Sequence, residues 1–140
     1  MNVGILGLGL IGGSIAKAIR QYYPDYEIVA FDKNKETLAL ATQESVIDVA
    51  CTSIDDNFNG CQYIFLCAPV SYNTAYLKQL KPHIGSNCIL TDVGSVKASI
   101  HKEVIALDME EQFIGGHPMT GSERTGFANS NALLLENAYY

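Results

Sequence analysis

A histidine flanked by small and rigid residues, Gly115-Gly116-His117-Pro118, is the side chain best suited to move a proton. An imidazole with an ordinary pKa of about 6.5 is available as a neutral base near pH 7. Removing hydride from a carbon that bears a hydroxyl needs such a group at the oxygen. The competing reading is a turn histidine bonded to nearby backbone. Ser95 follows Gly94. It either hydrogen-bonds His117 or a substrate hydroxyl, or caps the helix that begins beside it. Asp92 is placed to orient the same loop. Lys97 either offers a cation to an acidic substrate or decorates a first helical turn. From their surroundings alone, Glu123 and Arg124 belong to a solvated, turn-rich loop, and His83 and His101 to the surface.

A second constellation lies near the N-terminus. Gly7-Leu8-Gly9-Leu10-Ile11-Gly12-Gly13-Ser14 follows the apolar run Val3-Gly4-Ile5-Leu6 and opens a helical pattern. Asp32 ends the next apolar run, Ile28-Val29-Ala30-Phe31. Strand, glycine loop, helix, strand and terminal acid form a dinucleotide-binding fingerprint. Gly7 permits a tight turn, Gly9 lets backbone approach a pyrophosphate, and Gly12 lets helix and sheet close together. The helix start at Leu10 and Ile11 presents unpaired N–H groups and the positive end of its dipole, which suits an anion. Asp32 can accept from both ribose hydroxyls and would repel a 2′-phosphate, favouring NAD over NADP. Lys33 and Lys35 oppose that preference, because either could meet a phosphate.

The elements that carry these residues alternate. Strands are expected at 2–6, 27–31, 46–50, 63–67, 88–91 and 112–114. Helices are expected at 10–22, 34–43, 71–80 and 96–107. Ser53-Ile54-Asp55-Asp56 has the spacing of a capping box and marks a single turn. Alternation of this kind predicts an α/β, Rossmann-type, doubly wound fold: a mainly parallel sheet with helices on both faces. Ligands then lie beyond the carboxyl ends of the strands. Those ends carry Gly7–Gly12, Asp32, Ala68-Pro69, Asp92–Ser95 and Gly116–His117, all on one edge.

The 140 residues suffice for one domain, 48% hydrophobic and 17% charged, with a net charge of −6. The acidic balance and the lack of a basic block argue against a nucleic-acid partner. No apolar run reads as a membrane span or signal peptide. Cys51, Cys61, Cys67 and Cys88 lack CxxC spacing and read as buried reduced thiols in a cytoplasmic protein. No metal-ligand spacing, P-loop or GxSxG motif is present.

Three blocks together resemble prephenate dehydrogenase, the oxidoreductase of tyrosine biosynthesis. They are Gly7–Ser14, Asp92-Val93-Gly94-Ser95-Val96-Lys97, and Gly115-Gly116-His117-Pro118-Met119-Thr120-Gly121-Ser122-Glu123. Thr120 stands where that family commonly has alanine. The resemblance covers this chain but only the nucleotide-binding half of the family. It implies NAD-dependent oxidation of prephenate to 4-hydroxyphenylpyruvate and carbon dioxide. It implies that His117 takes the hydroxyl proton, Ser95 aligns hydroxyl and imidazole, and Glu123 stands at the pocket mouth. It further implies a C-terminal helical domain, absent here, that dimerises and supplies an arginine to the substrate. Arogenate as substrate, and a nucleotide-binding module without catalysis, are the alternatives. The chain alone is expected to turn over poorly and to self-associate through Leu133-Leu134-Leu135 and Tyr139-Tyr140. Asn137-Ala138-Tyr139-Tyr140 is expected to begin a further strand.

Overall fold

The computed structural model describes residues 1–140. Six strands form one sheet: β1 (Asn2–Leu6), β2 (Glu27–Phe31), β3 (Val49–Cys51), β4 (Tyr63–Leu66), β5 (Ile89–Asp92) and β6 (Phe113–Gly115), in the order β3-β2-β1-β4-β5-β6. Every pairing is parallel. Leu6 aligns with Phe31 and Leu66, Leu66 with Asp92, and Asp92 with Gly115. The strand ends are therefore level, and the loops after them open on a single edge. β1 and β4 sit side by side at the point where the order reverses, which leaves a crevice between the loops that follow them.

Four helices connect the strands: α1 (Leu10–Tyr22), α2 (Lys35–Gln43), α3 (Val70–Leu80) and α4 (Ala98–Ala106). Ile15 and Ala16 of α1 and Leu38 and Ala41 of α2 pack with Val3, Ile5, Ile28 and Ala30 on one face. Tyr76, Leu77 and Leu80 of α3 and Ile100 and Val104 of α4 pack with Leu6, Ile64, Leu66 and Leu90 on the other. Alternate residues of each strand thus point into separate cores, which is why β1 and β2 are apolar at nearly every position. Asn34 starts α2 by accepting from the Glu36 and Thr37 N–H groups at 2.9 and 3.2 Å.

Three expected boundaries move for identifiable reasons. The third strand begins at Val49, not at 46. Ser45 adopts a left-handed φ of 58°, Val46 and Ile47 turn into the α1–α2 core, and the Asp48 carboxylate accepts the Ile28 N–H at 2.8 Å. The turn near residue 53 is real, but Asp55 caps it, accepting from the Asn57 N–H at 2.9 Å while Ser53 donates to Asp55. The fourth helix starts at Ala98, behind Lys97, with no side-chain cap, so Ser95 is not a capping residue.

The stretch after Pro118 does not form a strand at Tyr139-Tyr140. It makes two 3₁₀ turns, Phe127–Asn129 and Ala132–Leu135, and lies against α1. A Cβ on Gly13 would collide with Phe127 and Ser130, so the second glycine of the Gly12-Gly13 pair makes room for this segment. Ser14 Oγ accepts the Asn131 N–H at 3.0 Å, and Lys17 Nζ donates to the Ser130 carbonyl at 3.0 Å. Leu135 packs on the α1 core, whereas Leu133 and both terminal tyrosines are exposed. All four cysteines are free. Burial pushes the Cys51 and Cys88 thiols up to about 11 and Cys61 to about 12, and it raises Cys67 as well. No helix is long and apolar enough to cross a membrane.

Candidate active site

The site has two corners on one edge. The first is built by the glycine loop. Gly7 has φ +98°, a left-handed conformation that glycine adopts without steric penalty. A Cβ on Gly12 would overlap the Gly7 carbonyl oxygen, so α1 reaches the loop only through a glycine. Nothing lies within 4 Å of a Cβ placed on Gly9, so its backbone faces open space. Gly9 also precedes α1 without any side-chain cap, leaving the first-turn N–H groups at Leu10, Ile11 and Gly12 uncapped by side chains. An open, uncapped helix start over a bare glycine is a cradle into which a pyrophosphate fits.

Asp32 joins the ends of β1 and β2. One carboxylate oxygen accepts the Leu8 N–H and the other accepts the Asn34 N–H, at 2.7 and 2.8 Å. Each oxygen keeps a lone pair for a ribose hydroxyl. The opposite wall of the crevice is Ala68-Pro69. Sequence reasoning did not anticipate what holds it. Asn73, 1% exposed, accepts the Ala68 N–H at 3.2 Å and donates to the Leu66 carbonyl at 3.3 Å. The only sequence signal was a short amide in the first turn after a proline. Phe31, Lys33, Tyr72 and Tyr76 line the outer end of the crevice. Burial, followed by the nearby charges of Asp32 and Tyr72, raises the Tyr76 hydroxyl above its ordinary range.

The second corner joins the loops after β5 and β6. Asp92, with a side chain 2% exposed, pairs with Lys97 at 2.6 Å and accepts the Gly94 and Gly116 N–H groups, each at 3.3 Å. Lys97 Nζ also donates to the Gly116 carbonyl. Both polar groups of Gly116 are therefore held by one ion pair. Tyr140 closes the outer side. Its hydroxyl donates to the Asp92 carbonyl at 3.1 Å and shares a 2.8 Å hydrogen bond with Thr91. A Cβ on Gly116 would overlap the Tyr140 ring. Burial is the main cause raising the Tyr140 hydroxyl, and the Thr91 hydrogen bond opposes it.

Ser95 lies between Asp92 and Lys97, and His117 directly follows Gly116. The clamp thus brings the two loops together. Both side chains are exposed, and no hydrogen bond joins them to each other. Glu123 is exposed, in a bend that belongs to no helix or strand. Lys97 is spent on Asp92 and is not a free cation.

Strand order, level strand ends, an open helix start and a carboxylate at the end of β2 define a Rossmann-type dinucleotide-binding domain. Residues 15–140 match the family model described as prephenate dehydrogenase, nucleotide-binding domain, and the chain belongs to that family. The prephenate dehydrogenase of Bacillus subtilis is 36% identical over 140 residues, covering 97% of this chain and 37% of the relative. A crystal structure of A. aeolicus prephenate dehydrogenase with hydroxyphenyl propionate and NAD+ superimposes with a TM-score of 0.90 at 31% identity, covering 99% of this chain and 48% of that one. Synechocystis arogenate dehydrogenase gives 0.88 at 32% identity, covering 99% and 48%. The chain thus spans less than half the length of the proteins it matches.

Proposed function

We propose that this chain binds NAD in the β1–β4 crevice and supplies the cofactor-binding and catalytic half of a prephenate dehydrogenase. The reaction converts prephenate and NAD to 4-hydroxyphenylpyruvate, carbon dioxide and NADH. The supporting observation is that one sheet edge carries an open anion cradle and, beside it, a clamped loop pair bearing Ser95 and His117. Gly7, Gly9, Leu10, Ile11 and Gly12 would hold the pyrophosphate, Asp32 the adenosine ribose, and Ala68 and Pro69 the far wall.

NAD, when bound there, would supply the acceptor for the hydride of the ring carbon that bears the hydroxyl. His117 takes the hydroxyl proton as that C–O bond gains carbonyl character. Ser95 hydrogen-bonds the hydroxyl and aligns it with the imidazole. Loss of the substrate carboxylate as carbon dioxide leaves its electron pair in the ring, which becomes aromatic. Glu123 stands at the mouth of the pocket. Asp92 and Lys97 act through Gly116 as positioning residues. The intact enzyme is proposed to be a cytoplasmic homodimer serving tyrosine biosynthesis, with a further helical domain that binds the substrate carboxylate.

Arogenate is the second reading, because an arogenate dehydrogenase resembles this chain about as closely as the prephenate enzyme does. The test is a chimera in which this chain replaces the matching stretch of the Bacillus subtilis relative. NADH formation from prephenate, abolished by His117→Ala with NAD affinity retained, is the expected result. Turnover of arogenate in place of prephenate would move the assignment to the second reading. A folded chimera that binds NAD yet oxidises neither would overturn both.

A further inference from the structure

The residue after Asp32 is a lysine whose charge is already engaged. Lys33 Nζ sits 3.6 Å from the centroid of the Tyr72 ring, in the first turn of α3. Tyr72 stacks on Tyr76 with centroids 6.1 Å apart and planes at 21°. Tyr76 in turn meets Phe31 edge-on at 5.2 Å, and it is 6% exposed. An aromatic ladder rooted in the core therefore fixes the ring on which the ammonium rests. The resulting bridge runs from the loop after β2 to the start of α3, across the outer end of the crevice beyond Asp32.

The bridge matters for the choice of nucleotide. A 2′-phosphate on the adenosine ribose would approach Asp32 and would need a cation to offset that carboxylate. Lys33 is the adjacent cation, but the π face of Tyr72 attracts it in another direction. We propose that Tyr72 is a specificity-determining residue for the dinucleotide: it sequesters the Lys33 ammonium and so disfavours NADP. The inference rests on the dinucleotide reading of the crevice and deepens it.

The experiment is calorimetric titration of this chain with NAD and NADP. Tyr72→Leu keeps apolar bulk at a position that is 42% exposed, so the fold tolerates it. Removing the π face should raise the ratio of NADP to NAD affinity about two- to fivefold, the range set by an exposed cation–π contact. Tyr72→Phe keeps the π face and should leave the ratio at the wild-type value. Lys33→Met added to Tyr72→Leu should cancel the gain, because the released cation is then gone. An unchanged ratio in Tyr72→Leu with NAD binding intact overturns the proposal alone, as does a gain that survives Lys33→Met. A folded wild-type chain that binds neither nucleotide overturns the dinucleotide reading and the proposal with it.

Discussion

The two corners of the site are built in opposite ways. The corner proposed for the cofactor is local and made of backbone: one short stretch from Gly7 to Ser14 sets its shape, with no room for a Cβ at Gly7 or Gly12 and open space beside Gly9. The corner proposed for catalysis is assembled from distant residues and depends on side chains. Asp92, Lys97 and Gly116 are joined by an ion pair whose carboxylate is buried and whose lysine is half-buried, with Tyr140 on top, and the groups proposed for chemistry remain exposed and unpaired. A ligand read by N–H groups needs a rigid turn. A reaction run by an imidazole needs loops held in register while the imidazole itself stays free.

The sharpest way to break this contrast is Lys97→Met. It strands a carboxylate that is almost wholly enclosed, and the expected loss is about 3–5 kcal/mol by urea denaturation. NAD affinity should change less than twofold if the corners are separate. Adding Asp92→Asn should recover much of the loss, since the uncompensated charge is then removed. A cost below about 1 kcal/mol for the single change would mean that the pair does not hold the second corner.

Gly12→Ala attacks the other corner. The added methyl overlaps the Gly7 carbonyl, and overpacking of this kind costs about 2–3 kcal/mol. NAD affinity should fall more than tenfold in titration. Asn73→Ala comes next. It unpairs the Ala68 N–H and leaves the Leu66 carbonyl with the Val93 N–H alone, at about 2 kcal/mol in denaturation, with weakened NAD binding because Ala68-Pro69 loosens. The smallest effect belongs to Asn34→Ala. Losing this cap should cost about 1 kcal/mol and leave the catalytic corner untouched in the chimera's turnover of prephenate. A large fall in turnover there would show that the corners communicate.

These contrasts track what could be read from the chain alone. Glycine spacing and alternating apolar runs specify strands, helices and a cofactor loop, because turn sterics and periodicity are local properties. The position of Asp32, directly after β2, was legible for the same reason. The start of β3 was not, because Ser45 turns the chain through a left-handed φ and Asp48 ties it to Ile28 of β2. The course of the tail was not legible either, because residues 127–131 dock on Gly13, Ser14 and Lys17 more than a hundred residues earlier and the Tyr140 hydroxyl is held by Thr91 and Asp92.

By itself the sequence determined the fold class, the single sheet edge that gathers the candidate residues, and the residue types able to do chemistry there. Only the tertiary structure decided which charges are free. It engages Lys97 with Asp92 and Lys33 with Tyr72, and it leaves His117 and Ser95 exposed. The physical reason is that a charge acts over a few ångströms of space, and distance along the chain does not set distance across the sheet.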